Sequence, residues 1–143
     1  MTEPSEAREF DSGSGPGGTM EVIAGIPVLV CAADGPVIRD EADALGLIFG
    51  AGEAHWLAVP AGRLPAEFFR LRTGLAGAIL QKFVNYRVGL VVLGDLAAYT
   101  EASSALRDLV RESNRGSAAW FLPDLEALRE RLARRGRSSV PAG

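Results

Sequence analysis

The sequence predicts a mixed α/β domain: a mostly parallel sheet of about five strands with about four helices, opening with a β-hairpin. Three observations lead there. Short β-prone runs alternate with apolar residues at three- and four-residue spacing, which is how successive strand-helix-strand units read in a sequence. Residues Val88 to Leu93 are nearly uninterrupted β-branched and aliphatic, the pattern of a central strand covered on both faces. Two runs near the start, Met20 to Ala24 and Ile26 to Ala32, are separated only by Gly25, so they pair as neighbours across a tight turn.

Taken in order, residues 1–18 are polar and carry Ser12, Gly13, Ser14, Gly15, Pro16 and Gly17 in succession. Nothing apolar and periodic there offsets the entropy of ordering the backbone, so this stretch is expected to be a disordered tail. A single domain is expected over 19–135. After the hairpin, Asp40 opens a helical pattern with Ala42, Leu45 and Ile48 or Phe49 on one face, stopped at Gly50 and Gly52. Trp56 to Val59 is a brief strand ended by Pro60. The long connection from Pro60 to Arg72 has room for one helical turn around Pro65 to Phe69, where the paired aromatics Phe68 and Phe69 pin the loop to the core.

Thr73 is placed to cap the next helix, whose stripe is Leu75, Ile79, Leu80 and Phe83, with the small Ala76, Gly77 and Ala78 allowing close approach to a sheet. Ser103 or Ser104 caps a third helix carrying Leu106, Leu109 and Val110, and Asn114 to Gly116 ends it in a left-handed turn. Ala118 to Leu122 is the last strand. Pro123 and Asp124 open a final helix with Leu125, Leu128 and Leu132 inward and Arg129, Arg131, Arg134, Arg135 and Arg137 on a solvated face among Glu126 and Glu130. Residues 136–143 are expected to be a flexible tail.

Composition narrows the function classes. The 143 residues are 48% hydrophobic and 23% charged, enough apolar material for one folded domain without disulfides. A net charge of -3 disfavours nucleic acid and anionic membranes as partners. Cys31 is the single cysteine and His55 the single histidine, so neither a disulfide nor a clustered metal site is expected, and no cofactor. The start lacks the apolar segment of a signal peptide and no stretch is long enough to span a membrane, which points to the cytoplasm. The run from Gly15 to Gly18 lacks the strand, helix and lysine of a phosphate-binding loop.

The stretch PAEFFRLRTGLAGAILQKFVNYRVGLVVLGD, from Pro65 to Asp95, and LRDLVRESNRG, from Leu106 to Gly116, resemble the bacterial family known as domain of unknown function 4180. The resemblance extends over nearly all of 20–134. In that family an acidic residue is common where Arg70 and Ala78 stand here, so a role resting on those carboxylates does not carry over. The element order is also similar to the STAS domain of bacterial anti-sigma-factor antagonists. In those domains a Ser or Thr followed by Gly caps the second helix and is phosphorylated by a partner kinase. Thr73 and Gly74 match that pattern, although the connection before them is longer than is usual there.

Ligands of open α/β sheets gather beyond the carboxyl ends of parallel strands. Arg70, Arg72, Thr73, Gly74 and Asp95 are expected at that edge, with Ser103 and Ser104 nearby. Thr73 is first a helix cap and, by the STAS likeness, a phosphoacceptor; Asp95 is first a turn residue after Gly94. His55, at the start of a strand, belongs at the opposite edge, which disfavours a Ser/His/Asp triad. The expected function is a non-enzymatic regulatory or interaction module that docks a protein partner through the Thr73 edge. The alternative is a small binding protein or simple enzyme holding an anionic metabolite between Arg70, Arg72, Thr73 and Asp95. An enclosed pocket favours the alternative; an open edge with Thr73 exposed favours docking.

Overall fold

The computed structural model describes Ser14–Gly15 and residues 18–138. A single mixed sheet has strand order β1 (Ser14–Gly15), β2 (Gly18–Ile23), β3 (Ile26–Val30), β4 (Trp56–Pro60), β5 (Gly89–Leu93) and β6 (Ala119–Leu122). β1, β2 and β3 run antiparallel, and β3 to β6 are parallel. The sheet therefore has five substantial strands plus a two-residue edge, and it opens with the expected hairpin. Ile23 pairs with Ile26 across a turn in which Ala24 and Gly25 both have positive φ, 53° and 81°. That is the primed geometry whose twist suits a two-residue hairpin loop.

The helices are α1 (Glu41–Gly50), the single turn α2 (Ala66–Phe69), α3 (Leu75–Tyr86), α4 (Ala97–Ala102), α5 (Ser104–Arg115) and α6 (Leu125–Ser138). Strands that follow one another in both chain and sheet force each right-handed crossover in the same direction, so the crossover helices gather on one face. Leu29, Leu57, Leu90 and Ala119 form a row across β3 to β6 on that face and pack with Ala44 and Ile48 of α1, Ala76, Ile79 and Phe83 of α3, and Leu106 of α5. The alternate residues Val28, Trp56, Ala58, Val91 and Trp120 point to the other face, which α6 covers with Leu128 and Leu132. β5 is thus buried on both sides, as its unbroken aliphatic run requires.

On the α6 face, Trp56 and Trp120 stack with centroids 4.1 Å apart. Gly89 pairs with Trp56, and a Cβ at Gly89 would lie 2.4 Å from the indole, so only glycine lets that ring lie flat. Arg131 sits over Trp120, 4.0 Å from the ring centroid. Arg129 holds Glu21 of β2 with two hydrogen bonds, Nε to Oε2 at 2.7 Å and Nη2 to Oε1 at 3.1 Å, which keeps the Glu21 carboxyl below its usual range.

Several local expectations need correction. Ser14–Gly15 and Gly18 belong to strands, while the rest of the expected N-terminal tail lies outside the described residues. α6 continues through Gly136 to Ser138, because one glycine near a helix end costs only about 1 kcal/mol; residues 139–143 lie outside the described part. Arg129 and Arg131 are engaged with Glu21, Trp120 and the Asn114 carbonyl rather than merely solvated. α5 does not end in a left-handed turn, since Gly116 has φ -96° and ψ -159°. Asn114 instead uses its amide as a substitute strand: Oδ1 accepts from Phe121 N at 2.7 Å and Nδ2 donates to Phe121 O at 3.1 Å. Those backbone groups lie on the free edge of β6, so the side chain completes a ladder no strand is there to complete.

Candidate functional site

The connection from β4 to α3 is built in three steps. A 3-10 turn at Ala61–Arg63 leaves the strand, α2 follows from Pro65, and a second 3-10 turn at Leu71–Thr73 leads to Gly74. Proline at the entry of α2 has no N–H to leave unpaired. Phe68 and Phe69 are buried, at 0% and 3% exposure, so the aromatic pair anchors the connection as its sequence indicates. Burial of each ring contributes on the order of 2–3 kcal/mol.

Gly74 has φ 79°, the left-handed region, and it is the residue that flanks α3. Thr73 therefore sits one position earlier than a helix cap. Its Oγ1 lies 2.7 Å from Glu67 O and 2.9 Å from Arg70 O, to which the hydroxyl donates, and it accepts from Leu75 N at 3.2 Å. The hydroxyl satisfies the first N–H of α3 while closing the loop back on α2. Thr73 is exposed at the surface.

Asp95 makes the turn anticipated for it, with Oδ1 accepting from Ala97 N at 2.9 Å. The turn starts α4, a helix the sequence pattern did not reveal. α4 ends at Ser103, whose Oγ accepts from Leu106 N at 3.1 Å and caps α5. Tyr99 of α4 lies nearly parallel to Phe69, with centroids 4.3 Å apart and planes at 16°. That stack brings the connections leaving β4 and β5 together.

Between them runs an open groove of about 490 Å³ with a mostly apolar lining. Phe69, Leu71, Tyr99 and Ala102 form its apolar surface, and Arg70 and Arg72 flank it. Tyr99 is 40% exposed. Both arginines are exposed, and among the described residues neither forms an ion pair. Thr73, Gly74 and Asp95 do not line this groove. The five residues grouped by sequence reasoning thus divide: two arginines face a shared surface, whereas the hydroxyl, the glycine and the carboxylate serve local turns. Tyr99 and Ala102 were missed. The only signal was a lone aromatic in the otherwise polar and small-residue stretch after Asp95.

Elsewhere the chemistry is muted. His55 is exposed just before β4, at the opposite end of the strands. Burial pushes the Cys31 thiol up to about 11, with the nearby Arg63 charge opposing part of the rise, so it is a poor nucleophile at neutral pH. Among the described residues, no group of three or more His, Cys, Asp or Glu is arranged to hold a metal, and no helix is long and apolar enough to cross a membrane.

Fold and site together define a small α/β domain with an open, arginine-flanked apolar groove beyond the carboxyl ends of β4 and β5. The chain belongs to the family described as domain of unknown function (DUF4180), whose model matches residues 23–132. No curated protein matches it. No solved structure matches it either.

Proposed function

We propose that this chain is a non-enzymatic, cytoplasmic interaction module of regulatory type that docks a protein partner through the Phe69–Tyr99 groove. The observation that carries the reading is the groove itself: open and mostly apolar, lined by an exposed aromatic and flanked by two exposed arginines. Aromatic and arginine side chains are the residue types that anchor protein interfaces. An amphipathic segment with acidic residues fits this chemistry, its apolar side chains against Tyr99 and Leu71 and its carboxylates on Arg70 and Arg72.

The STAS likeness adds a means of control. A phosphate on Thr73 removes the proton that Oγ1 donates and sets a dianion against the carbonyls of Glu67 and Arg70, loosening the loop that carries both arginines. A small anionic metabolite has less support, because the Thr73 hydroxyl and the Asp95 carboxylate are already committed to neighbouring backbone and lie outside the groove.

The test compares wild-type chain with the double variant Arg70→Glu/Arg72→Glu as baits in cells that naturally carry the protein. Docking through the groove predicts a partner retained by wild type and lost with the charge reversal. Equal capture by both baits, or none by either, contradicts it. Intact-mass measurement of the same wild-type sample reads a phosphate as added mass, and peptide fragmentation places it on Thr73 or elsewhere.

A further inference from the structure

A second surface, independent of the docking groove, carries a different chemistry. Arg63 is the one charged residue among those described that is fully inside the molecule, at 4% exposure. Its Nε donates to Pro36 O at 2.9 Å and its Nη1 to Ala32 O at 3.2 Å, and the guanidinium packs against Gly35, where a Cβ would lie 2.6 Å from Cζ. These bonds clasp the loop that joins β3 to α1. Ile38 N donates to Arg63 O at 2.8 Å, so the loop is held by the side chain and the backbone of the same residue.

The clasp leaves the charge unanswered. A guanidinium has five N–H donors, of which the two carbonyls use only part. Among the described residues no carboxylate is within ion-pair distance of Arg63. Buried charges are ordinarily paired, because a cation removed from water recovers little from neutral carbonyls alone. Beside it is a cavity of about 650 Å³, open to solvent, whose lining includes Arg63, the apolar Val37, Ile38 and Leu47, and Gly46 of α1. The remaining charges in the lining cancel: Arg39 and Asp43 are bonded to each other, Nε to Oδ2 at 2.9 Å and Nη2 to Oδ1 at 3.4 Å. The net charge facing the cavity is thus the single positive charge of Arg63.

We infer that this cavity binds a small aliphatic monocarboxylate, its carboxylate on the Arg63 guanidinium and its hydrocarbon against Val37, Ile38 and Leu47. A single carboxylate matches the single uncompensated charge and the in-plane N–H edge of arginine. A dianion such as phosphate fits less well, since one guanidinium charge leaves it half compensated beside the apolar Val37, Ile38 and Leu47.

The probe is sodium hexanoate added to the full-length chain, followed by amide chemical shifts in ¹H–¹⁵N spectra, with neutral hexanamide and inorganic phosphate as comparisons. Hexanoate is expected to shift the amides of Ile38, Gly46 and Leu47 saturably, with hexanamide weaker by about tenfold or more and phosphate weaker than hexanoate. Arg63→Met removes the clasp as well as the charge, so its loss of binding could reflect misfolding. The second variant, Gly46→Leu, avoids this: a Cβ at Gly46 meets nothing within 4 Å, and leucine is the better helix former. Gly46→Leu is expected to keep or raise the thermal midpoint while weakening hexanoate about tenfold or more by filling the cavity. Three results overturn the inference: no saturable shift up to about 10 mM hexanoate, equal binding of hexanoate and hexanamide, or undiminished binding by Gly46→Leu.

Discussion

The connection between β4 and α3 carries three arginines, and its two ends treat them in opposite ways. Arg63, in the first turn, is buried and bonded to backbone of a distant loop. Arg70 and Arg72, past the aromatic pair, are exposed beside a groove and form no ion pair among the described residues. The difference lies in what precedes each residue. Ala61–Arg63 turns straight off a central strand and buries Arg63 against the loop that follows β3, whereas Phe68 and Phe69 take the buried positions of the second half and leave their neighbours outside. The first end is therefore expected to govern stability, and the second to govern partner docking.

Removing the element that separates the two ends has the largest effect. Phe68→Ala empties a fully buried position and is expected to cost about 3–5 kcal/mol in urea denaturation, disordering the groove as well. Next comes Arg63→Met, which takes the side-chain donor from Pro36 O and leaves Ala32 O only the long bond from Gly35 N; a loss of about 1–3 kcal/mol is expected. Arg70→Ala together with Arg72→Ala is the counterpart, expected to stay within about 0.5 kcal/mol of wild type. Similar losses for the two substitutions would erase the distinction between the ends.

Alkaline pH sharpens the contrast, because Cys31 neighbours the buried arginine. Its thiol has an ordinary value of 9.0 and is pushed up to about 11, chiefly by burial. The unfolded chain then loses its proton first, so stability is intact below about 9 and declines as pH rises from there toward about 11. The denaturation midpoint of wild type is expected to fall over that window more steeply than that of Cys31→Ala. Thr73→Ala is expected to cost about 1 kcal/mol, less than Phe68→Ala and more than the arginine pair, as it removes a surface hydroxyl that joins α2 to α3.

Much of this architecture is legible in the sequence because it rests on periodicity. The hairpin around Gly25, the Asp40 cap, the buried Val88 to Leu93 run and the anchoring by Phe68 and Phe69 each follow from residue type and spacing. What escaped depends on contacts between residues far apart in the chain. α4 is a six-residue helix whose Tyr99 finds its partner, Phe69, thirty positions earlier. Asn114 followed two residues later by glycine carries the same signal as a helix terminus, yet its amide serves the edge of β6. Thr73 reads as a cap because a left-handed Gly74 cannot be told in sequence from the first residue of a helix. Arg63 is one of three arginines in the connection, and nothing local marks it as the one that turns inward.

The central claim, that the Phe69–Tyr99 groove is where a partner binds, is most directly tested by photo-crosslinking from within it. A benzophenone amino acid replaces Ala102, which lines the groove, and in a parallel sample replaces Phe49, an exposed residue packed edge-on against Tyr86. Docking predicts a discrete adduct from position 102 that is absent from position 49 and abolished by Arg70→Glu/Arg72→Glu. The same adducts from both positions, or an adduct from position 102 indifferent to the charge reversal, would contradict it.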